Sequence, residues 1–462
     1  MTSALEIPRL VIAGMASGVG KTTVTVGLCR ALRARGLSVA VFKCGPDYLD
    51  PTYHERAAGR PCHNLDGWMM GRAAATATFA RASAHADVAL VEGMMGLFDG
   101  ASPTGDEGST AEMAKWLDAP VLLVVDASGM ARSIAALVGG FAAFDPGLRV
   151  AGVVANRAGS RGHVDLLGQA QRMPPMFGGL TKDGALGFPE RHLGLRTAER
   201  DVVPDAVLDG WGARVAEAID LDALLTLARS APPLPAPEMP AVAAAAAAAP
   251  ARCRIGLAFD DAFHFYYEDN LCRLEALGAD LVRFSPSRDA RLPDVDGLYI
   301  GGGYPEVHAA TLAANSAMRE AVAGFARSGR PIYAECGGLM YLAQAIRGLD
   351  GRTHPMVGLL PGTAVMSDRL EALGYVEVET REPSPFGPAG LRFRGHQFRY
   401  SRLEGGDVAA GAYTIRRRWG GEVTREGFRT GSVLGSYVHA HWASNPLVAQ
   451  GFVARCAAGR QA

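Results

Sequence analysis

The stretch Gly14-Met15-Ala16-Ser17-Gly18-Val19-Gly20-Lys21-Thr22-Thr23 follows a short apolar run, Leu10 to Ala13. It precedes a helical pattern that runs from Thr22 to Arg35 and stops at Gly36. A glycine-rich turn between a strand and a helix cradles phosphates with its backbone N–H groups. Lys21 would reach the β/γ oxygens, and the Thr22 hydroxyl would hold Mg²⁺. The usual form of such a loop has glycine six residues before the lysine. Met15 stands there instead, and the glycine is one place earlier, at Gly14. A glycine-rich turn without a ligand is the competing reading, and the Gly20-Lys21-Thr22-Thr23 run weighs against it.

Outward from this loop, Leu37 to Phe42 reads as a second strand. Val88 to Val91, Val121 to Val125 and Val150 to Ala155 are further β-branched runs, ending at Glu92, Asp126 and Asn156. Helical patterns separate them. Short apolar strands alternating with helices predict a parallel sheet with helices on both faces. Ligands gather at the carboxyl ends of such strands, where all three polar residues fall. The segment APPLPAPEMPAVAAAAAAAPAR, residues 231–252, is almost all Pro and Ala and reads as a semi-extended linker. It separates a first domain, 1–230, from a second, 253–462. The second repeats the α/β grammar: Ile255 to Phe259, Gly297 to Ile300 and Pro331 to Ala334 read as buried strands. The expected class is α/β with two doubly wound domains.

Composition narrows the function classes. The 462 residues carry 46 Lys and Arg against 47 Asp and Glu, which argues against a globally basic nucleic-acid binder. Apolar residues make up 48% and charged residues 20%, as in a globular chain rather than a disordered one. Seven cysteines without a CxxC make a disulfide framework or a zinc knuckle a poor fit. Pro8 and Arg9 interrupt the start, so it does not read as a signal peptide. The longest apolar run, Ala241 to Ala249, is too short to span a bilayer. The expectation is a soluble, cytoplasmic protein with neither membrane nor nucleic acid as partner.

Two acidic residues are placed to complete a metal site. Asp47 lies in Lys43-Cys44-Gly45-Pro46-Asp47-Tyr48-Leu49-Asp50-Pro51, just after the second strand, and Glu92 ends a strand. Mg²⁺ between phosphates and one or two carboxylates is the common arrangement. The bland reading makes Asp47 and Asp50 turn formers beside Pro46 and Pro51. In the second domain, Cys336 follows an apolar strand and precedes two glycines and a helical run, Leu339 to Ile346. This is the pattern of a nucleophile elbow, where the helix N-terminus is expected to lower the thiol pKa. Gly301 to Gly303 would supply an oxyanion hole from the neighbouring strand end. A base is needed, and His439 in Gly435-Ser436-Tyr437-Val438-His439-Ala440-His441-Trp442 is the candidate. His439 and His441 share a face if they lie on a strand, so geometry alone does not choose between them.

These motifs together resemble the cobyrinic (or hydrogenobyrinic) acid a,c-diamide synthase family, over essentially the whole chain. The specific parts are GMASGVGKTT, KCGPDYLDP, VEGMMGLFDG, the GGGYPE run, AECGG and GSYVHAHW. The longer phosphate loop resembles that of the dethiobiotin synthetase branch of P-loop proteins. The resemblance implies a dethiobiotin-synthetase-like P-loop domain joined to a class I glutamine amidotransferase domain. It implies amidation of the a- and c-acetates of a corrinoid precursor, using glutamine, ATP and Mg²⁺. It also implies residue roles. Cys336 would attack the glutamine amide, His439 would move the protons, and Gly302 and Gly303 would belong to the oxyanion hole. Gly18, Gly20, Lys21, Thr22 and Thr23 would hold ATP, and Asn156 would contact the adenine. Thr22, Asp47 and Glu92 would bind Mg²⁺, while Tyr48, Leu49 and Asp99 would bind or orient the macrocycle. A homodimer is left open. One departure stands out: most class I amidotransferases have a glutamate two residues after the histidine, and here His441 is in that place. A Cys–His dyad is therefore expected. Two alternatives remain at this point. One is a sister synthase acting on Ni-sirohydrochlorin; the other is an ATP-binding switch with a degenerate amidotransferase domain.

Overall fold

Seven short strands form the first sheet. They are β1 (Arg9–Gly14), β2 (Val39–Cys44), β3 (Cys62–Leu65), β4 (Val88–Glu92), β5 (Val121–Asp126), β6 (Val150–Ala158) and β7 (Met176–Thr181). The computed structural model describes residues 5–182, 203–236, 252–405, 411–418 and 420–459. All seven strands are parallel, in the order β3-β2-β4-β1-β5-β6-β7. β1, β2, β3 and β4 are buried at every residue, which is why β1, β2 and β4 read as near-continuous apolar runs rather than alternating ones. Helix α1 (Lys21–Ala34) buries Val24, Leu28 and Leu32 in a core shared with Trp211 and Val215. The chain divides into two units, Met1–Met239 and Pro240–Ala462. The start of the Pro/Ala segment is tied to the first unit. Leu234 bridges to Leu5, and the buried Arg9 donates to the carbonyls of Leu117, Ile7, Asp118 and Pro232. Residues 237–251 of the expected linker lie outside the described residues.

The second unit has its own main sheet, in the order β20-β21-β11-β10-β8-β9. Its members are β8 (Cys253–Ala258), β9 (Ala279–Phe284), β10 (Gly297–Ile300), β11 (Ile332–Glu335), β20 (Phe428–Thr430) and β21 (Val433–Ser436). β20 alone is antiparallel to its neighbour. A four-stranded sheet joins β12 (Ala345–Arg347), β13 (Thr353–Pro355), β14 (Thr363–Met366) and β17 (Ser401–Glu404). A five-stranded antiparallel sheet joins β15 (Ala372–Thr380), β16 (Arg392–Arg399), β18 (Tyr413–Arg417), β19 (Thr424–Glu426) and β22 (His439–His441). The expected helix over Leu339–Ile346 differs. The helix is Gly337–Leu342, and Ala345–Arg347 is strand β12. A short apolar run suits either state, and here pairing with β14 decides it.

Candidate functional site

The phosphate loop of the first unit lies where its pattern placed it. Gly18 and Gly20 have φ of 73° and 93°, a conformation glycine adopts without strain. Gly20 caps α1 and sits so close to Asn156 that a Cβ on it would lie 2.1 Å from Nδ2. The Asn156 amide donates to Val19 O at 2.8 Å and accepts from Arg157 N at 2.9 Å, so it braces the loop. Arg157 adds a bond to Gly18 O at 2.7 Å. The Lys21 ammonium is held by Met95 O at 2.5 Å and Ala16 O at 3.2 Å. Thr22 and Thr23 open α1, half-buried.

Around Thr22 a compact charge cluster forms. Its Oγ1 lies 2.9 Å from Glu92 Oε1 and 3.3 Å from Asp50 Oδ2. Lys43 Nζ stands 2.8 Å from each of those two carboxylates, and His54 Nε2 lies 2.5 Å from Glu92 Oε2. Burial alone would raise the Glu92 pKa, but Lys43 and His54 outweigh it and hold the carboxyl well below the usual range. Burial would likewise lower Lys43, yet Glu92 and Asp50 raise it. Both groups therefore stay charged.

Asp47 sits differently. Its Oδ1 accepts from Leu49 N at 2.8 Å and Asp50 N at 3.0 Å, ahead of helix α2 (Asp50–Ala58). Burial, then Asp50, pushes its pKa up to about 6, against Lys43. Asp50, whose bland reading is a turn former beside Pro51, belongs to the cluster, as do Lys43 and His54, which no sequence motif singles out. Tyr48 and Leu49 are half-buried on the same loop. Asp99 is exposed and accepts from Gly96 N at 2.8 Å. Thr22, Asp50 and Glu92 offer hard oxygen donors, the kind Mg²⁺ takes. Among the described residues no group of three His, Cys, Asp or Glu side chains is arranged to hold a metal alone.

In the second unit, Cys336 stands in a strained turn, with φ 46° and ψ −101°, between β11 and the helix Gly337–Leu342. A non-glycine residue there is held by its surroundings, and Cys336 N donates to Ser436 O at 2.7 Å. The strand order brings the other expected parts together, because β10 and β21 flank β11. Gly337 approaches the 301–303 run so closely that a Cβ on it would lie 3.1 Å from Gly303 N. A Cβ on Gly302 would lie 2.6 Å from His439 Cε1. The Gly302 carbonyl accepts from His264 N and Phe265 N, each at 3.1 Å, which fixes that peptide.

The thiol does not behave as the elbow pattern led one to expect. Burial, with Glu306 adding, pushes the Cys336 pKa up to about 12. Arg399 and then the Gly337 N–H pull it down without offsetting the burial. Burial pushes His439 down to about 3 and His441 to about 4. Cys336 therefore rests as a thiol and His439 as a neutral imidazole.

Glu335, beside the cysteine, is a residue that sequence reasoning missed. It is buried, and its carboxylate accepts from Tyr333 OH at 2.7 Å, Tyr299 OH at 3.1 Å and Ala440 N at 3.1 Å. Burial outweighs these donors and raises its pKa from 4.5 to about 7. Between those values the folded protein binds a proton that the unfolded chain has released. Glu335 therefore costs stability increasingly as pH rises through this window. Glu335→Gln removes that cost and keeps an acceptor for Ala440 N. The variant's melting temperature minus that of the wild type should be more positive at pH 8 than at pH 5. An equal difference at both pH values would contradict the assignment.

A phosphate loop in one unit and an elbow cysteine in the other define a glutamine-hydrolysing ligase that forms amide bonds. Residues 10–186 match the CobQ/CobB/MinD/ParA nucleotide binding domain, and 254–447 the CobB/CobQ-like glutamine amidotransferase domain. The cobyrinate a,c-diamide synthase of Syntrophotalea carbinolica is 52% identical over 98% of this chain and 99% of its own. That of Leptospira interrogans is 50% identical over 98% and 99%. The hydrogenobyrinate a,c-diamide synthase of Streptomyces coelicolor is 43% identical over 98% of each chain. The chain belongs to the cobyrinate and hydrogenobyrinate a,c-diamide synthase family. Among the described residues no helix is long and apolar enough to cross a membrane.

Proposed function

We propose that the chain amidates the a- and c-acetate carboxylates of cobyrinic or hydrogenobyrinic acid, in the cytoplasm, using ATP, Mg²⁺ and glutamine. In the second unit, Cys336 Sγ adds to the glutamine amide carbon as His439 takes the thiol proton. His439 returns that proton to the leaving nitrogen, so ammonia departs and a glutamyl thioester remains. Water then hydrolyses the thioester. Peptide N–H groups of the Gly302-Gly303 run meet the developing oxyanion. In the first unit, Gly18, Gly20, Lys21, Thr22 and Thr23 hold the ATP phosphates. The acceptor carboxylate attacks the γ-phosphorus and expels ADP, giving an acyl phosphate. Ammonia displaces inorganic phosphate from it, and the amide forms.

When bound, Mg²⁺ would neutralise charge on the transferring phosphate, held by Thr22 and Glu92 with Asp50 or Asp47 as the further carboxylate. Asn156 keeps the phosphate loop in shape and has a further N–H for the adenine. Tyr48, Leu49 and Asp99 line the approach of the macrocycle. The helix Ser133–Phe144 buries only Ile134 and Val138 of an almost wholly apolar sequence, which supports a homodimer through its open face.

The observation that carries this reading is the cluster of Thr22, Glu92, Lys43 and Asp50 beside the phosphate loop, in a chain that also holds a strained elbow cysteine. The resting thiol and neutral imidazole support a glutaminase that is quiet until its partners bind. His439 tests the base assignment. His439→Ala should lower glutaminase turnover by at least about a hundredfold. His441→Ala should cost much less, and ammonium-driven amidation should survive in both. If His441→Ala is the more damaging, the assignment is wrong.

A further inference from the structure

The His439 ring is packed between neighbouring elements. Several contacts converge on it. His439 on β22 stands directly opposite His396 on β16 in antiparallel register. The two rings stack, with centroids 4.9 Å apart and planes 17° from parallel. Gly302 closes against His439 Cε1, where a Cβ would lie 2.6 Å away. His396 is itself held, because its Nδ1 lies 2.9 Å from the hydroxyl of Tyr267. Tyr267 is buried and caps the helix Glu268–Ala276. Beneath the strand, Glu335 fixes Ala440 N, the amide between the two histidines.

We propose that His396 is the positioning residue of the glutaminase: the face of its ring sets the plane of His439 toward the Cys336 thiol. The proposal rests on His439 being the base, as argued above. His396 suits this part because it stays out of the proton transfer. Burial, with His439 and His441 adding, holds its pKa well below the ordinary imidazole value, so it remains neutral. A stack between two neutral rings fixes orientation without competing for the thiol proton. His441 packs instead against Tyr267, with ring centroids 4.6 Å apart.

The test separates ring from hydrogen bond. His396→Ala should lower glutaminase kcat by at least about tenfold, as a modest misplacement of a catalytic group does, and leave KM for glutamine within about twofold. Ammonium-driven amidation should be unchanged. His396→Phe, made together with Tyr267→Phe so that no hydroxyl is stranded, restores a flat ring and should return kcat to within about threefold of the wild type. His396→Asn offers Tyr267 a polar partner but no ring, and should stay as slow as the alanine variant. Should His396→Ala fail to fold, the Phe pair and the Asn variant decide the matter. Wild-type kcat in His396→Ala, or recovery by Asn and not by Phe, would overturn the proposal. His439→Ala is the benchmark. If that variant keeps its glutaminase, the base assignment falls; if it loses it while His396→Ala does not, only the positioning role falls.

Discussion

Cys336→Ser should abolish glutamine-dependent amidation and leave amidation driven by free ammonium intact. The loss should be at least about a thousandfold, because removing the nucleophile removes the covalent step itself. Serine is close in size and meets the same backbone demand, φ 46°, so the fold should hold. The thiol already rests with a pKa near 12 and depends on a base to lose its proton; a hydroxyl in its place is harder still to ionise. The measurement is product formation with glutamine and with ammonium chloride side by side, in the same preparation. Loss of both activities in a folded variant would show that Cys336 does more than release ammonia.

Glu92→Gln should cost at least about a hundredfold with either nitrogen source, about 3 kcal/mol of transition-state stabilisation. Glu92 meets Thr22 Oγ1, Lys43 Nζ and His54 Nε2 together, so its charge organises the whole cluster. Without it no acyl phosphate should form, and the source of ammonia should not matter. Breaking a buried ion pair also costs about 3 kcal/mol of stability. ATP binding and the melting temperature must therefore be followed with the activity. Asp50→Asn and Asp47→Asn belong in the same series, because the two carboxylates sit so differently. Asp50 pairs with Lys43 beside Thr22, whereas Asp47 caps its own loop. Asp50→Asn should be the more damaging if the metal lies against the cluster. Full ammonium-dependent turnover in Glu92→Gln would remove the cluster from the chemistry.

Much of the first unit was legible because its physics is local. A strand buried on both faces is largely apolar, and a phosphate loop has glycines where φ is positive. β1, β4 and β5 therefore lie within a residue of their expected bounds. Gly297–Ile300 coincides with its strand for the same reason. The antiparallel sheet that carries β15 and β16 leaves a weak sequence signal, because buried and exposed residues alternate there only in part, among glycines and charged side chains. His396 lies inside that sheet and has no meaning until the register sets it opposite His439. Lys43 is apolar by position and charged by type, a combination that signals a buried partner even in sequence. Asp50 was hidden by its own ambiguity, since an aspartate next to proline reads as a turn. The sequence suggests a lowered thiol pKa because the helix N-terminus is visible there and the burial that raises the Cys336 pKa is not.

The proposed reaction converts two carboxylates of one corrinoid to amides at the expense of ATP, with nitrogen from glutamine. The most direct measurement is mass spectrometry of cobyrinic and hydrogenobyrinic acid incubated with the purified protein, ATP, Mg²⁺ and glutamine labelled with ¹⁵N at the amide, with Ni-sirohydrochlorin in a parallel reaction. Two successive acid-to-amide conversions of a corrinoid are expected, both carrying the label and both absent without ATP. An unchanged corrinoid, conversion of Ni-sirohydrochlorin alone, or amidation that proceeds without ATP would contradict it.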